Sequence, residues 1–168
     1  PQSAQILIPK DPQFQQTLIS FNRRTTLTPS VRVLCVTPEA VSTCVQWATQ
    51  NQVPLAMRCG GHSYEGFSQS TGIVIDTRLM NDISVSGDEV TMGGGAALGS
   101  IYQELSKTGR AIPAGTCPTV GVTGHTTGGG YGMLARPLGL ACDSLKKIEV
   151  VTANGEIINA SENENADL

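Results

Sequence analysis

The spacing of apolar and polar positions changes several times along the chain, and each change marks an element. Val31-Arg32-Val33-Leu34-Cys35-Val36 is a β-branched run that predicts a strand. Thr37-Pro38-Glu39 predicts a helix start: a capping hydroxyl, a proline at the first helical position and an acid in the first turn. Val41, Val45, Trp47, Ala48 and Val53 give that helix, over roughly 38–52, an apolar side. Pro54 to Arg58 returns as a strand, and strand, helix, strand within about 30 residues is a βαβ crossover, which implies parallel strands. Ile73 to Asp76 is a further strand, and Ile83–Val85 and Glu89–Met92 read as a hairpin across Ser86-Gly87-Asp88. Ala97 to Lys107 reads as a helix with Leu98, Ile101, Tyr102 and Leu105 on one face and Gly109 as its stop. Leu145 to Thr152 is a strand that Asn154-Gly155 turns into Glu156-Ile157-Ile158. Residues 1–30 are polar, with Phe14, Leu18, Ile19 and Phe21 at roughly helical spacing, and are expected to form a loosely packed lead-in with a short helix. The expected class is α+β: two small α/β lobes with mixed parallel and antiparallel sheets.

Composition narrows the functions. The chain has 168 residues, 39% hydrophobic and 15% charged, as expected of a soluble globular protein. A net charge of −3 argues against a protein that neutralises phosphate backbones, so no nucleic-acid partner is expected. No stretch approaches the roughly 18 apolar residues of a membrane span, so no membrane is expected either. The first residues, Pro1 to Ile6, lack an initiator Met and show no signal segment; a trimmed or processed chain is expected, and its compartment is not readable. The five cysteines (Cys35, Cys44, Cys59, Cys117, Cys142) are not spaced as CxxC, and with two histidines they form no metal pattern. Most read as small buried hydrophobes. Cys117 differs, because it lies in a Gly/Pro/Thr loop.

Glycine is the outlier. There are 19, where average usage would give about a dozen, and they cluster at 60–61, 93–95, 115–124 and 128–132. Such clusters mark positive φ or close backbone approach. The first chemistry-bearing loop is Arg58-Cys59-Gly60-Gly61-His62-Ser63-Tyr64. A strand ending in Gly-Gly can aim successive N–H groups into one concavity that binds phosphate oxygens, with Arg58 and the Ser63 hydroxyl adding charge and a donor. Alone, a plain turn carrying an exposed histidine explains it as well. The second is Gly115-Thr116-Cys117-Pro118-Thr119-Val120-Gly121-Val122-Thr123-Gly124-His125, followed by Gly128-Gly129-Gly130-Tyr131-Gly132. It matches neither a Walker A loop nor a Rossmann fingerprint. Triple glycine beside Tyr131 suits backbone pressed against a large planar ligand.

Together, the 58–64 loop, Ile73-Val74-Ile75-Asp76-Thr77-Arg78-Leu79-Met80-Asn81 and the 115–132 motif resemble the FAD domain of the vanillyl-alcohol oxidase/p-cresol methylhydroxylase superfamily. The likeness is greatest to its berberine-bridge-enzyme-like and oligosaccharide-oxidase group, and runs from about Val31 to the end of the chain. The resemblance implies a cofactor, FAD, between the two lobes, bonded covalently from His62 to the C8 methyl carbon and from Cys117 to C6. It implies pyrophosphate on the backbone of Arg58, Cys59, Gly60, Gly61, Ser63 and Tyr64. Further FAD contacts are implied along Gly115, Thr116, Val120, Gly121, Gly124, His125, Gly128, Gly130, Tyr131 and Gly132, with Asp143 and Val150 completing the pocket. His125 reads equally as a satisfied loop histidine. Tyr64 and Tyr131 read as lining a substrate face or as core and flavin-edge packing. Val120 is small enough to leave room for oxygen.

The expected organisation is a lead-in over 1–30 and an FAD-binding domain over 31–168. Relatives continue further, so the substrate domain and the catalytic base are expected outside this chain, and a complementary C-terminal segment is an expected partner. The expected function is an oxidase taking hydride from alcohol or sugar hydroxyl groups and passing electrons to oxygen, the redox chemistry being the flavin's. A dehydrogenase using another acceptor and a non-catalytic flavin-binding fragment remain open alternatives.

Overall fold

The computed structural model describes residues 3–168. The elements run β1 (Ala4–Leu7), α1 (Phe14–Thr17), β2 (Val31–Cys35), α2 (Pro38–Gln50), β3 (Leu55–Arg58), β4 (Ile73–Asp76), β5 (Ile83–Ser86) and β6 (Glu89–Met92). They continue with α3 (Leu98–Ser106), α4 (Val122–Thr127), α5 (Ala135–Leu138), a 3-10 turn (Cys142–Ser144), β7 (Lys147–Val151) and β8 (Ile157–Ser161). The described residues divide into two compact units, one of residues 3–58, 62–76 and 146–168, the other of 59–61 and 77–145.

The first unit is built on a four-stranded sheet of order β1-β2-β4-β3. The expected crossover is parallel, but β4 stands between its two strands and pairs in parallel with both β2 and β3. Val33, Leu34 and Cys35 on β2 and Ile73, Val74 and Ile75 on β4 are buried, the near-continuous apolar run of parallel strands covered on both faces. Two charges share that interior: the Arg32 guanidinium donates to Asp76 (Nε to Oδ2 2.9 Å) and to the Thr17 carbonyl. Both side chains are essentially inaccessible. The helix start is as expected, the Thr37 hydroxyl accepting the Ala40 N–H at 3.3 Å, with Val41, Val45 and Ala48 turned inward. Trp47, expected on the apolar side, is 50% exposed.

The lead-in departs from expectation. Ala4–Leu7 forms an antiparallel edge strand on β2, and Phe14 is fully buried with Leu7 and Leu34. Polar composition hid this, because a four-residue edge strand draws its stability from its neighbour's ladder. The β7–β8 hairpin is also wider than a two-residue turn: it spans 152–156, and Gly155 takes the positive φ of 79°. Ser42 on α2 donates its hydroxyl to the Gly155 carbonyl, which ties the hairpin to the helix.

The second unit has a core of Ala96, Leu98, Ile101, Leu105, Ala114, Val122 and Ala141. The β5–β6 hairpin turns at Gly87 and Asp88, and Gly87 at φ 58° supplies the positive first position of a II′ turn. The glycine-rich stretch, expected to be loop throughout, contains α4. Its six residues are poor helix formers, so tertiary anchoring makes the helix, notably the Val122 N–H to the Ala96 carbonyl at 2.9 Å. Among the described residues no helix is long and apolar enough to cross a membrane.

Candidate functional site

In the second unit, the start of the first glycine loop lies directly on the second. A Cβ on Gly60 would stand 2.6 Å from the Thr119 carbonyl oxygen, and one on Gly121 would stand 2.7 Å from the Cys59 Cβ. Those glycines are therefore required by contact between two stretches of this chain. The 118–122 segment is held by a backbone ladder: Leu98 N–H to the Val120 carbonyl and Gly99 N–H to the Pro118 carbonyl, both 2.9 Å. Val120 packs against the hydrophobic core, which gives its side chain a structural task.

Gly115, two residues before Cys117, is fixed at both backbone polar atoms. Its N–H donates to His125 Nε2 at 2.9 Å, and its carbonyl accepts the Tyr102 hydroxyl. The His125 ring lies against the backbones of Gly115 and Gly130, so it joins two glycine clusters. Burial holds its pKa below the ordinary 6.5, as an imidazole needs if Nε2 is to accept a hydrogen bond. Gly130, at φ 81°, has no room for a side chain against Ala141, and Gly132 none against the Ala114 carbonyl. Gly130 and Gly132 thus serve internal packing. Gly124 behaves differently: on α4, a Cβ there would meet nothing within 4 Å. A helix glycine costs stability relative to alanine, and at Gly124 no contact within the chain accounts for it.

Among the described residues, Cys117 is the one exposed cysteine; Cys35 is buried and the other three are half-buried. Thr116 beside it in sequence is exposed, as are Gly128 and Tyr131, whereas Asp143 accepts the Leu140 N–H at 2.7 Å. In the first unit, His62 is half-buried, and burial followed by the Arg58 charge holds its pKa below 6.5. A neutral imidazole is the form with a nucleophilic ring nitrogen. Arg58, read as phosphate-binding, is instead buried: it donates to Ser20 Oγ at 2.6 Å and to the Ile19 carbonyl. The Ser63 hydroxyl accepts the Phe67 N–H at 3.1 Å and closes the turn after His62. Tyr64 and Tyr131 are both largely exposed, so neither is a core residue. Val150 lies on β7, half-buried.

Two residues that the sequence did not single out for the site touch its functional groups. Tyr102 holds the Gly115 carbonyl, and Phe21 stacks on the His62 ring at 4.5 Å between centroids and 15° between planes. Phe21 was legible only as one of four apolar residues at roughly helical spacing in the polar lead-in; nothing in the helical spacing separates Tyr102 from its apolar neighbours.

Residues 29–161 match the family model described as "FAD binding domain", and the chain belongs to that family. It is 37% identical over 169 residues to the uncharacterized FAD-linked oxidoreductase YgaK of Bacillus subtilis (strain 168), covering 99% of this chain and 36% of that protein. Among solved structures, 6-hydroxy-D-nicotine oxidase from Arthrobacter nicotinovorans superposes with a TM-score of 0.94 at 33% identity, over 96% of this chain and 36% of that one. Glucooligosaccharide oxidase from Acremonium strictum, described with a 6-S-cysteinyl, 8α-N1-histidyl FAD, superposes with a TM-score of 0.91 at 31% identity, over 98% and 36%. The chain thus spans little more than a third of these relatives, and the α+β architecture and the FAD-binding assignment are those expected from the sequence.

Proposed function

We propose that this chain holds FAD through two covalent bonds, from His62 and from Cys117, and that the full-length protein is a flavin-dependent oxidase of alcohol or sugar hydroxyl groups. The observation that carries this reading is the likeness to the glucooligosaccharide oxidase whose flavin is linked to one cysteine and one histidine. This chain offers two histidines, and His125 already gives its Nε2 lone pair to Gly115. It offers five cysteines, of which the exposed one among the described residues sits on the glycine loop. His62 and Cys117 are the pair this reading takes. Gly124, open to 4 Å, supports a flavin pressed against the exposed side of α4. The backbones of Gly60, Gly61, Thr116, Gly128 and Tyr131 supply the further contacts in a domain over 31–168, to which the lead-in adds β1.

FAD, when bound, supplies the electron sink for hydride removal. The chain's own part is to orient that sink: a neutral imidazole on one loop, and a thiol whose loop is tied down at Gly115 and along 118–122. This reading assigns no substrate group and no base to the chain's own residues. The test is whether visible flavin absorbance stays with the full-length protein through acid precipitation. Retention supports covalent attachment, and complete release contradicts it. Reoxidation of the reduced flavin in air, followed by stopped flow, separates the oxidase from a dehydrogenase.

A further inference from the structure

The segment after α1 is laced to the residues around His62. Arg58 donates to Ser20 Oγ, Asn22 Nδ2 to the Tyr64 carbonyl at 2.9 Å, Arg24 to Glu65 at 2.8 Å, and Gln69 Nε2 to Ser20 Oγ at 2.9 Å and the Thr25 carbonyl at 3.0 Å. Phe21 rides on this lacing. Its ring stacks on His62 and lies parallel to Tyr64 at 6.2 Å and 11°. Phe21 is nonetheless 58% exposed, so burial of apolar area does not explain why it is held there. A histidine following two glycines has little backbone to restrict it, and a parallel ring at stacking distance narrows the side-chain torsions open to the imidazole.

We infer that Phe21 is a positioning residue for His62: by stacking on the imidazole it restrains the plane in which the ring meets the flavin. This rests on the covalent reading above. Bond formation replaces one imidazole N–H and one C–H of the flavin C8 methyl group with a C–N bond. The two hydrogens and their electrons pass to the flavin, which dioxygen reoxidises with release of hydrogen peroxide. A ring held in the reactive orientation reaches that step without first losing torsional freedom. Losing an aromatic stack therefore slows attachment about two- to tenfold.

Two substitutions separate plane from bulk. Phe21→Leu keeps an apolar side chain and removes the stacking plane; Phe21→Tyr keeps both. In the full-length protein reconstituted with FAD, peptide mapping by mass follows attachment at His62 and at Cys117 separately. Phe21→Leu is expected to slow the His62 bond about two- to tenfold and spare the Cys117 bond, which also reports folding; Phe21→Tyr is expected to match wild type. In flavin-free protein, the upfield ring-current shift of the His62 imidazole protons is expected in wild type and Phe21→Tyr and lost in Phe21→Leu. Wild-type attachment at His62 in Phe21→Leu, or an unchanged ring-current shift, overturns the positioning role alone. Absence of flavin at His62 with Phe21 intact overturns the covalent reading and the attachment role with it.

Discussion

Gly121→Ala isolates the contact between the two glycine loops, because backbone strain and steric approach give opposite signs there. Gly121 has φ −78° and ψ 135°, an extended conformation that alanine adopts freely. With no other effect, the substitution would stabilise by about 0.4–1 kcal/mol through the unfolded chain. Against that, the new Cβ would stand 2.5 Å from the Gly60 nitrogen and 2.7 Å from the Cys59 Cβ. Ordinary contacts are about 3.5–4.0 Å, so the two backbones must separate by about 1 Å. The flanking bonds from Leu98 to Val120 and from Val122 to Ala96, both 2.9 Å, resist that movement. Overpacking of this kind costs about 1–3 kcal/mol, and a strained hydrogen bond adds about 1. The expected net loss is about 1–3 kcal/mol, read from the urea midpoint of flavin-free protein, with slower FAD attachment at Cys117. Stability equal to or above wild type would refute the close approach of the loops.

Gly124→Ala should act in the opposite direction on stability, raising it by about 0.5–1 kcal/mol through helix propensity, while lowering FAD uptake by titration. Unchanged uptake would remove Gly124 from the flavin contacts. Asp76→Asn leaves Arg32 charged and buried beside a neutral amide. Removing one partner of such a pair costs about 3–5 kcal/mol, and a midpoint shift below 1 kcal/mol would contradict the burial of the pair. His125 has a folded-state pKa below its ordinary 6.5, so the unfolded chain takes up the proton first as pH falls. Its contribution to stability is complete above 6.5, declines as pH falls through the lowered folded value, and is flat below it. Urea midpoints on either side of pH 6.5 for wild type and the non-titrating His125→Gln variant measure that slope.

What the sequence showed was what local chemistry can write. Helix α2 announced itself through Thr37-Pro38-Glu39, and strand β4 through Ile73-Val74-Ile75. The glycine clusters marked the loops but not the reason for each glycine. Gly60, Gly121, Gly130 and Gly132 are set by contacts far away in sequence, which no single-sequence pattern contains. Arg58 looked like a phosphate ligand because a charge beside Gly-Gly carries that meaning, yet its partners Ser20 and Ile19 lie 38 and 39 residues earlier. The same distance hid β1 and Phe21: both take their structure from β2 and from the His62 loop, while their own segment is polar.

The mass of the intact full-length protein, followed through His62→Ala, Cys117→Ala and the double variant after denaturation, tests the two-bond attachment most directly. One covalent FAD in wild type and in each single variant, and none in the double variant, is the expected result. Covalent flavin that survives in the double variant, or is absent from wild type, would contradict attachment at these two residues.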